Sequence, residues 1–130
     1  MKGKVYLMGA GPGGPDLLTV KAVRALRAAE VVLHDDLVSQ EILDLVSASA
    51  QVRSVHKLGM QPGSLQQRIY SLLISAAREG HQVVRLRAIN LLPFSQADEE
   101  TEALAQAGVD FEVITGAASA MEAAAGANSR

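Results

Sequence analysis

The sequence predicts an α/β fold: a mostly parallel five-stranded sheet with helices on both faces. Three observations lead there. Short apolar runs alternate with amphipathic helical patterns along the whole chain. Strands separated by helices require right-handed crossovers, hence parallel neighbours. The runs are nearly continuous in apolar residues, as in a sheet covered on both faces.

Val5-Tyr6-Leu7-Met8 is the first strand, followed by a Gly- and Pro-rich loop over residues 9–15. Val20, Val23, Leu26 and Ala29 then share one face of a helix. That helix is expected to start near Pro15 or Asp16. Val31-Val32-Leu33 is the second strand. Ser39 is placed to cap a helix carrying Ile42, Leu43 and Val46. Residues 51–55 read as a weaker third strand and residues 56–63 as a loop. Ser64 and Gln67 have the spacing of a capping box. The helix they open carries Ile69, Leu72, Leu73 and Ala76 on its apolar stripe, and Gly80 stops it. Val83-Val84-Arg85-Leu86 is the fourth strand, and residues 87–97 are expected to be irregular. Asp98-Glu99-Glu100 would put negative charge at the next helix start, where the helix dipole favours it; that helix ends at Gly108. Residues 111–114 form a fifth strand and residues 117–125 a last helix of small residues. Residues 1–125 are thus expected to be one domain, with a frayed tail at 126–130.

Composition narrows the function. A net charge of −2, with acids and bases interspersed, leaves no electrostatic footprint for nucleic acid. Four aromatics (Tyr6, Tyr70, Phe94, Phe111) are too few for a base-stacking platform. The absence of cysteine removes disulfides and thiolate metal sites. No H-x-x-x-H or H-E-x-x-H spacing occurs, so no metal is expected. The first apolar run is too short for a signal peptide or a membrane span, and a cytoplasmic location is expected.

An open parallel sheet binds ligands at the carboxyl ends of its strands. Gly9-Ala10-Gly11-Pro12-Gly13-Gly14 satisfies G-x-G-x-x-G directly after a strand, and Asp35 follows the second strand. Taken literally, this is a dinucleotide fingerprint. Pro12 and Pro15 remove two amide donors from such a loop, and the late helix start leaves the third glycine outside the helix. A tight turn is the plainer reading. His34-Asp35-Asp36 is a dense polar cluster. Asp35 either orients a substrate or accepts a proton, or it simply begins the turn into the next helix. Arg85 and Arg87 could meet a carboxylated ligand, but are expected to be solvated charges at a strand end. His56 and His81 are expected on the surface, with no neighbouring partner in sequence.

The loop Gly9-Ala10-Gly11-Pro12-Gly13, with Pro15-Asp16-Leu17-Leu18-Thr19, resembles the opening of the tetrapyrrole (corrin/porphyrin) methylases, nearest to their uroporphyrinogen-III C-methyltransferase group. Val31-Val32-Leu33-His34-Asp35-Asp36-Leu37-Val38-Ser39 is similar to the family's V-V-L-Y-D-R-L-V-S. The likeness runs on through Val55-His56-Lys57, Ala77-Arg78-Glu79-Gly80, Val83 to Arg87, Glu99-Glu100 and Phe111 to Ile114, without gaps over nearly the whole chain. The resemblance implies transfer of a methyl group from S-adenosylmethionine to a tetrapyrrole carbon. It also implies two α/β domains with the active site between them, of which this chain matches the first, and a homodimer. Gly11, Pro12 and Gly13, Ala88, Ile89 and Asn90, and Ala118 and Ser119 would border the cofactor. Asp35 would face the substrate.

The pattern departs after the fourth strand. The family's G-G-D-P-F-x-F-G-R-G-G-E-E is replaced, at equal length, by Ala88-Ile89-Asn90-Leu91-Leu92-Pro93-Phe94-Ser95-Gln96-Ala97-Asp98-Glu99-Glu100. Side chains thus stand where glycines would let the backbone approach a ligand. Gly14 stands for an Asp, Asp36 for an Arg, and Ala118 for a Thr. Three functions follow: a methylase domain inactive as this chain alone, a non-catalytic homologue that binds a ligand or dimerises, and, from glycine spacing only, a nicotinamide-dinucleotide-binding domain.

Overall fold

The computed structural model describes residues 3–10, 18–36, 38–60, 63–88 and 94–114. Five strands form one sheet: β1 (Lys4–Ala10), β2 (Val31–His34), β3 (Gln51–Ser54), β4 (Gln82–Ala88) and β5 (Asp110–Ile114). Their order is β3-β2-β4-β1-β5, and every neighbouring pair is parallel. The helices are α1 (Val20–Ala28), α2 (Gln40–Leu43), α3 (Val55–Gly59), α4 (Leu65–Arg78) and α5 (Phe94–Gln106).

Alternation along the strands builds a core on each face of the sheet. Val5, Leu7, Val31, Leu33 and Val83 pack with Leu58 of α3, Ile69, Leu73, Ala76 and Ala77 of α4, and Leu104 of α5. Met8, Val32, Val84, Leu86 and Ile114 pack with Ala22 and Leu26 of α1 and Ile42 of α2 on the other face. The α/β fold with helices on both faces is therefore as expected, and the described sheet is wholly parallel.

Side-chain caps set several helix starts. Thr19 accepts from the Ala22 amide at 3.1 Å, Ser39 from Ile42 at 3.4 Å and Ser64 from Gln67 at 3.4 Å. At the end of α4, Gly80 adopts φ 95°. That left-handed turn lets the His81 amide reach back to the Ala76 carbonyl at 3.1 Å.

Several boundaries differ from expectation. Helix α1 starts at Val20, later than Pro15 or Asp16, and its buried stripe is Ala22, Leu26 and Ala29 while Val20 is exposed. Helix α2 stops at Leu43, short of Val46. Residues 55–59, expected as strand end and loop, form α3, because the Ser54 hydroxyl caps the Lys57 amide at 3.1 Å and Leu58 is buried. The stretch 87–97 is not irregular throughout: β4 runs to Ala88 and α5 begins at Phe94. Pro93 immediately before it is a residue suited to helix starts. The acids at 98–100 therefore lie inside α5 and not at its start. The expected helix at 117–125 and the tail lie outside the described residues.

Candidate functional site

The topology singles out one position. Strands β1 and β4 are neighbours, paired from Lys4↔Gln82 to Ala10↔Ala88. From β1 the chain passes to α1, which buries Ala22 and Leu26 on one face of the sheet. From β4 it passes to α5, which buries Leu104 on the other. The helices that follow the two strands thus lie on opposite faces, which puts the topological switch point, the ligand position of open α/β sheets, at the carboxyl ends of β1 and β4. Both strands end in alanine, with Gly9 preceding one of them.

The sequence-derived cofactor residues follow these strands in sequence. Ala88 is the last residue of β4 and pairs with Ala10. Gly11, Pro12 and Gly13 follow β1, Ile89 and Asn90 follow β4, and Ala118 and Ser119 come after β5, which pairs with β1 up to Met8↔Ile114. These seven residues lie outside the described residues. The three strands they follow are adjacent, in the order β4-β1-β5.

Asp35 sits just past β2, on the other side of β4. Its amide donates to the Leu86 carbonyl at 3.1 Å, extending the β2–β4 ladder by one step. Its carbonyl accepts from the Val38 amide at 3.2 Å, so the expected turn is real. The His34 ring lies against the same carbonyl, Nδ1 to O at 3.0 Å. Its carboxylate Oδ1 accepts from Arg85 Nη1 at 2.9 Å. Asp36 is exposed, 3.7 Å from His56 Nδ1. His81 is half-buried and also has acidic neighbours, Glu79 at 3.6 Å and Glu30 at 3.7 Å. The expectation of no neighbouring partner in sequence was wrong for His81, since Glu79 lies two residues before it.

Arg85 and Arg87 are not solvated strand-end charges. Both are buried in β4, and both meet Glu100 of α5, itself 3% exposed. Arg85 Nε donates to Glu100 Oε2 at 3.4 Å, and Arg87 Nη1 lies 3.4 Å from Glu100 Oε1. Burial lowers the pKa of Arg87, and the Glu100 carboxylate opposes that. Nearby, burial raises the Tyr70 phenol above its ordinary value, reinforced by Glu99 and Glu100. Sequence reasoning missed Glu100 as a site residue, because its partners lie on another element. The available signal was the pair of arginines at i and i+2 on one face of an otherwise apolar strand.

Among the described residues no three His, Cys, Asp or Glu side chains are grouped so as to hold a metal ion, and no helix is long and apolar enough to cross a membrane. The family model of the Tetrapyrrole (Corrin/Porphyrin) Methylases matches residues 4–129. The siroheme synthase of Hahella chejuensis is 46% identical over 123 residues, 95% of this chain and 26% of that protein. The crystal structure of uroporphyrin-III-C-methyltransferase from Thermus thermophilus superimposes with a TM-score of 0.74 at 46% identity, covering 89% of this chain and 48% of that one. A Thermus thermophilus uroporphyrin-III C-methyltransferase complexed with S-adenosyl homocysteine superimposes with a TM-score of 0.69 at 37% identity, covering 93% and 48%. The chain thus spans about a quarter of the first relative and about half of the two structures.

Proposed function

Because the chain belongs to the tetrapyrrole (corrin/porphyrin) methylases, we propose that it forms the cofactor side of an S-adenosylmethionine-dependent C-methyltransferase acting on a tetrapyrrole. It is a tetrapyrrole methylase domain similar to uroporphyrinogen-III C-methyltransferase and siroheme synthase. The observation that carries the cofactor assignment is the switch point at β1 and β4, from whose two strand ends the residues 11–13 and 88–90 follow. The likeness to a structure complexed with S-adenosyl homocysteine supports the same choice.

The residues present fit such a group. The segments that follow β1 and β4 in sequence carry glycines and an asparagine, and the two strands end in the paired Ala10 and Ala88, residue types that offer backbone and amide hydrogen bonds. Gly11, Pro12, Gly13, Ala88, Ile89, Asn90, Ala118 and Ser119 would hold the cofactor. When bound, it supplies an electrophilic sulfonium methyl group. The chain's own contribution is orientation, since proximity and alignment supply most of the rate in such a transfer. Asp35 faces the substrate, holding a pyrrole N–H or accepting the proton that the tetrapyrrole loses, from a position other than the quaternary carbon formed, as the methyl group is transferred. Asp36 opposes a tetrapyrrole carboxylate, and His56 beside it offsets that charge when protonated. Transfer itself is proposed to require a partner domain beyond this chain, and the working unit is proposed to be a homodimer.

A second reading is favoured by one observation: Ala88-Ile89-Asn90 in place of the family's G-G-D. On this reading the domain is a non-catalytic module that dimerises or binds another ligand. Calorimetric titration of the folded chain with S-adenosylhomocysteine separates the two. Binding in the micromolar range supports the methylase reading. A folded chain that gives no binding heat overturns it in favour of the second.

A further inference from the structure

Three charged side chains are linked, two of them buried and the third partly exposed. Glu100 and Arg85 are each 3% exposed, and Asp35 is 21% exposed. Arg85 joins them. Its Nε donates to Glu100 Oε2 at 3.4 Å, and its Nη1 donates to Asp35 Oδ1 at 2.9 Å and to the Leu86 carbonyl at 3.2 Å. The Asp35 amide donates to that same Leu86 carbonyl. One residue pair of β4 therefore holds Asp35 by both main chain and side chain.

A guanidinium is planar and its donors are fixed relative to one another. Glu100 therefore sets the plane of Arg85, and Arg85 sets the direction of the Asp35 carboxylate. Net stability is a poor explanation for the cluster, because burying charges costs desolvation that their attraction often only balances. Orientation explains it better, since the most exposed member is Asp35, the one that the methylase reading puts on the substrate side. We propose that Arg85, oriented by Glu100, is the positioning residue that aims Asp35 at the tetrapyrrole. This inference rests on the methylase reading, with Asp35 on the substrate side.

The test is a fluorescence titration of the full chain with uroporphyrin III, on wild type, Asp35→Asn, Arg85→Lys and the double variant, each checked for folding by thermal melt. Lysine keeps a cation beside Glu100 but lacks the fork that reaches both carboxylates. Arg85→Lys and Asp35→Asn should each weaken binding about tenfold, the scale of one charge-assisted hydrogen bond. The double variant should be no weaker than either, because both changes remove the same interaction. A merely structural role would give additive losses, and that result overturns the proposal, as does wild-type affinity in Arg85→Lys. If Arg85→Lys does not fold, Glu100→Gln takes its place: it must weaken binding in the wild type and lose that effect beside Asp35→Asn. Wild-type chain that does not bind uroporphyrin III overturns this inference, while the methylase reading stands or falls separately on the S-adenosylhomocysteine titration. Binding by the wild type with no change in the variants overturns the inference alone.

Discussion

Arg85 and Glu100 face each other across β4 and α5 with only 3% of either side chain exposed, Nε to Oε2 at 3.4 Å. Arg87 lies against the other oxygen of the same carboxylate at 3.4 Å. One acid thus serves two buried guanidinium groups. Glu100→Ala leaves both without it and should cost about 3–5 kcal/mol in urea denaturation. Arg85→Met combined with Glu100→Met should cost less than Glu100→Ala alone, because it leaves one buried cation fewer.

The Tyr70 phenol is expected to ionise above the ordinary tyrosine value, first through burial and then through Glu99 and Glu100. Tyr6 is the other tyrosine in the chain. Ultraviolet titration in a Tyr6→Phe background therefore isolates Tyr70. Adding Glu99→Gln should move its midpoint downward. An unchanged midpoint would mean that Glu99 does not act on the ring.

Glu112 on β5 accepts hydrogen bonds from Lys21 and Lys4, which hold its carboxyl below the usual carboxylate range. A carboxyl depressed by folding adds stability that is present above its unfolded value, about 4.3, and is lost as pH falls through the folded value. Lys4 shifts the opposite way, raised chiefly by its hydrogen bond to Glu112. Its contribution is present below its unfolded value, about 10.4, and is lost as pH rises through the folded value. Glu112→Gln should therefore flatten the melting temperature against pH at both ends. Since the network is at the surface, 1 M salt should shrink the difference from wild type.

Gly3 is buried where the chain enters β1, its amide donating to the Ala77 carbonyl at 3.0 Å. A Cβ there would lie 2.6 Å from the Ala77 oxygen and 2.8 Å from the His81 nitrogen, and would overlap the His81 carbonyl. These are backbone atoms at the end of α4, so relief requires moving β1 away from it. Gly3→Ala should lower stability by about 1–3 kcal/mol, read as a shift in the denaturation midpoint.

Ala88→Gly, Ile89→Gly and Asn90→Asp together restore the family pattern after β4. On the methylase reading, the triple variant should bind S-adenosylhomocysteine at least about tenfold more tightly than wild type by calorimetry, a gain of roughly 1.4 kcal/mol. Equal affinity would show that these three positions do not limit the cofactor's approach.

Much of this fold is readable without coordinates, because the information is local. Caps at Ser39 and Ser64, the stop at Gly80 and the apolar runs of β1, β2 and β4 are set by residues a few positions apart. Periodicity likewise gave the stripe Ile69, Leu73 and Ala76 on α4. The family likeness was also in the residues, and through it the cofactor segments at 11–13, 88–90 and 118–119. Where local signals were weak, boundaries slipped: the acids at 98–100 suggested a helix start, although α5 begins at Phe94.

By itself the sequence determined the α/β class, the family and Asp35 as a candidate. Only the tertiary structure decided the strand order β3-β2-β4-β1-β5, and with it the switch point at β1 and β4, whose following helices lie on opposite faces. It also decided that Arg85 and Arg87 are buried. Their charge looked like solvated surface, since nothing adjacent in sequence compensates it. The compensating Glu100 is 15 residues beyond Arg85, and Asp35 is 50 residues before it. A charge can be buried only when its partner is brought to it. Here β2, β4 and α5 must pack together before the three groups meet, and that packing cannot be read from any one segment.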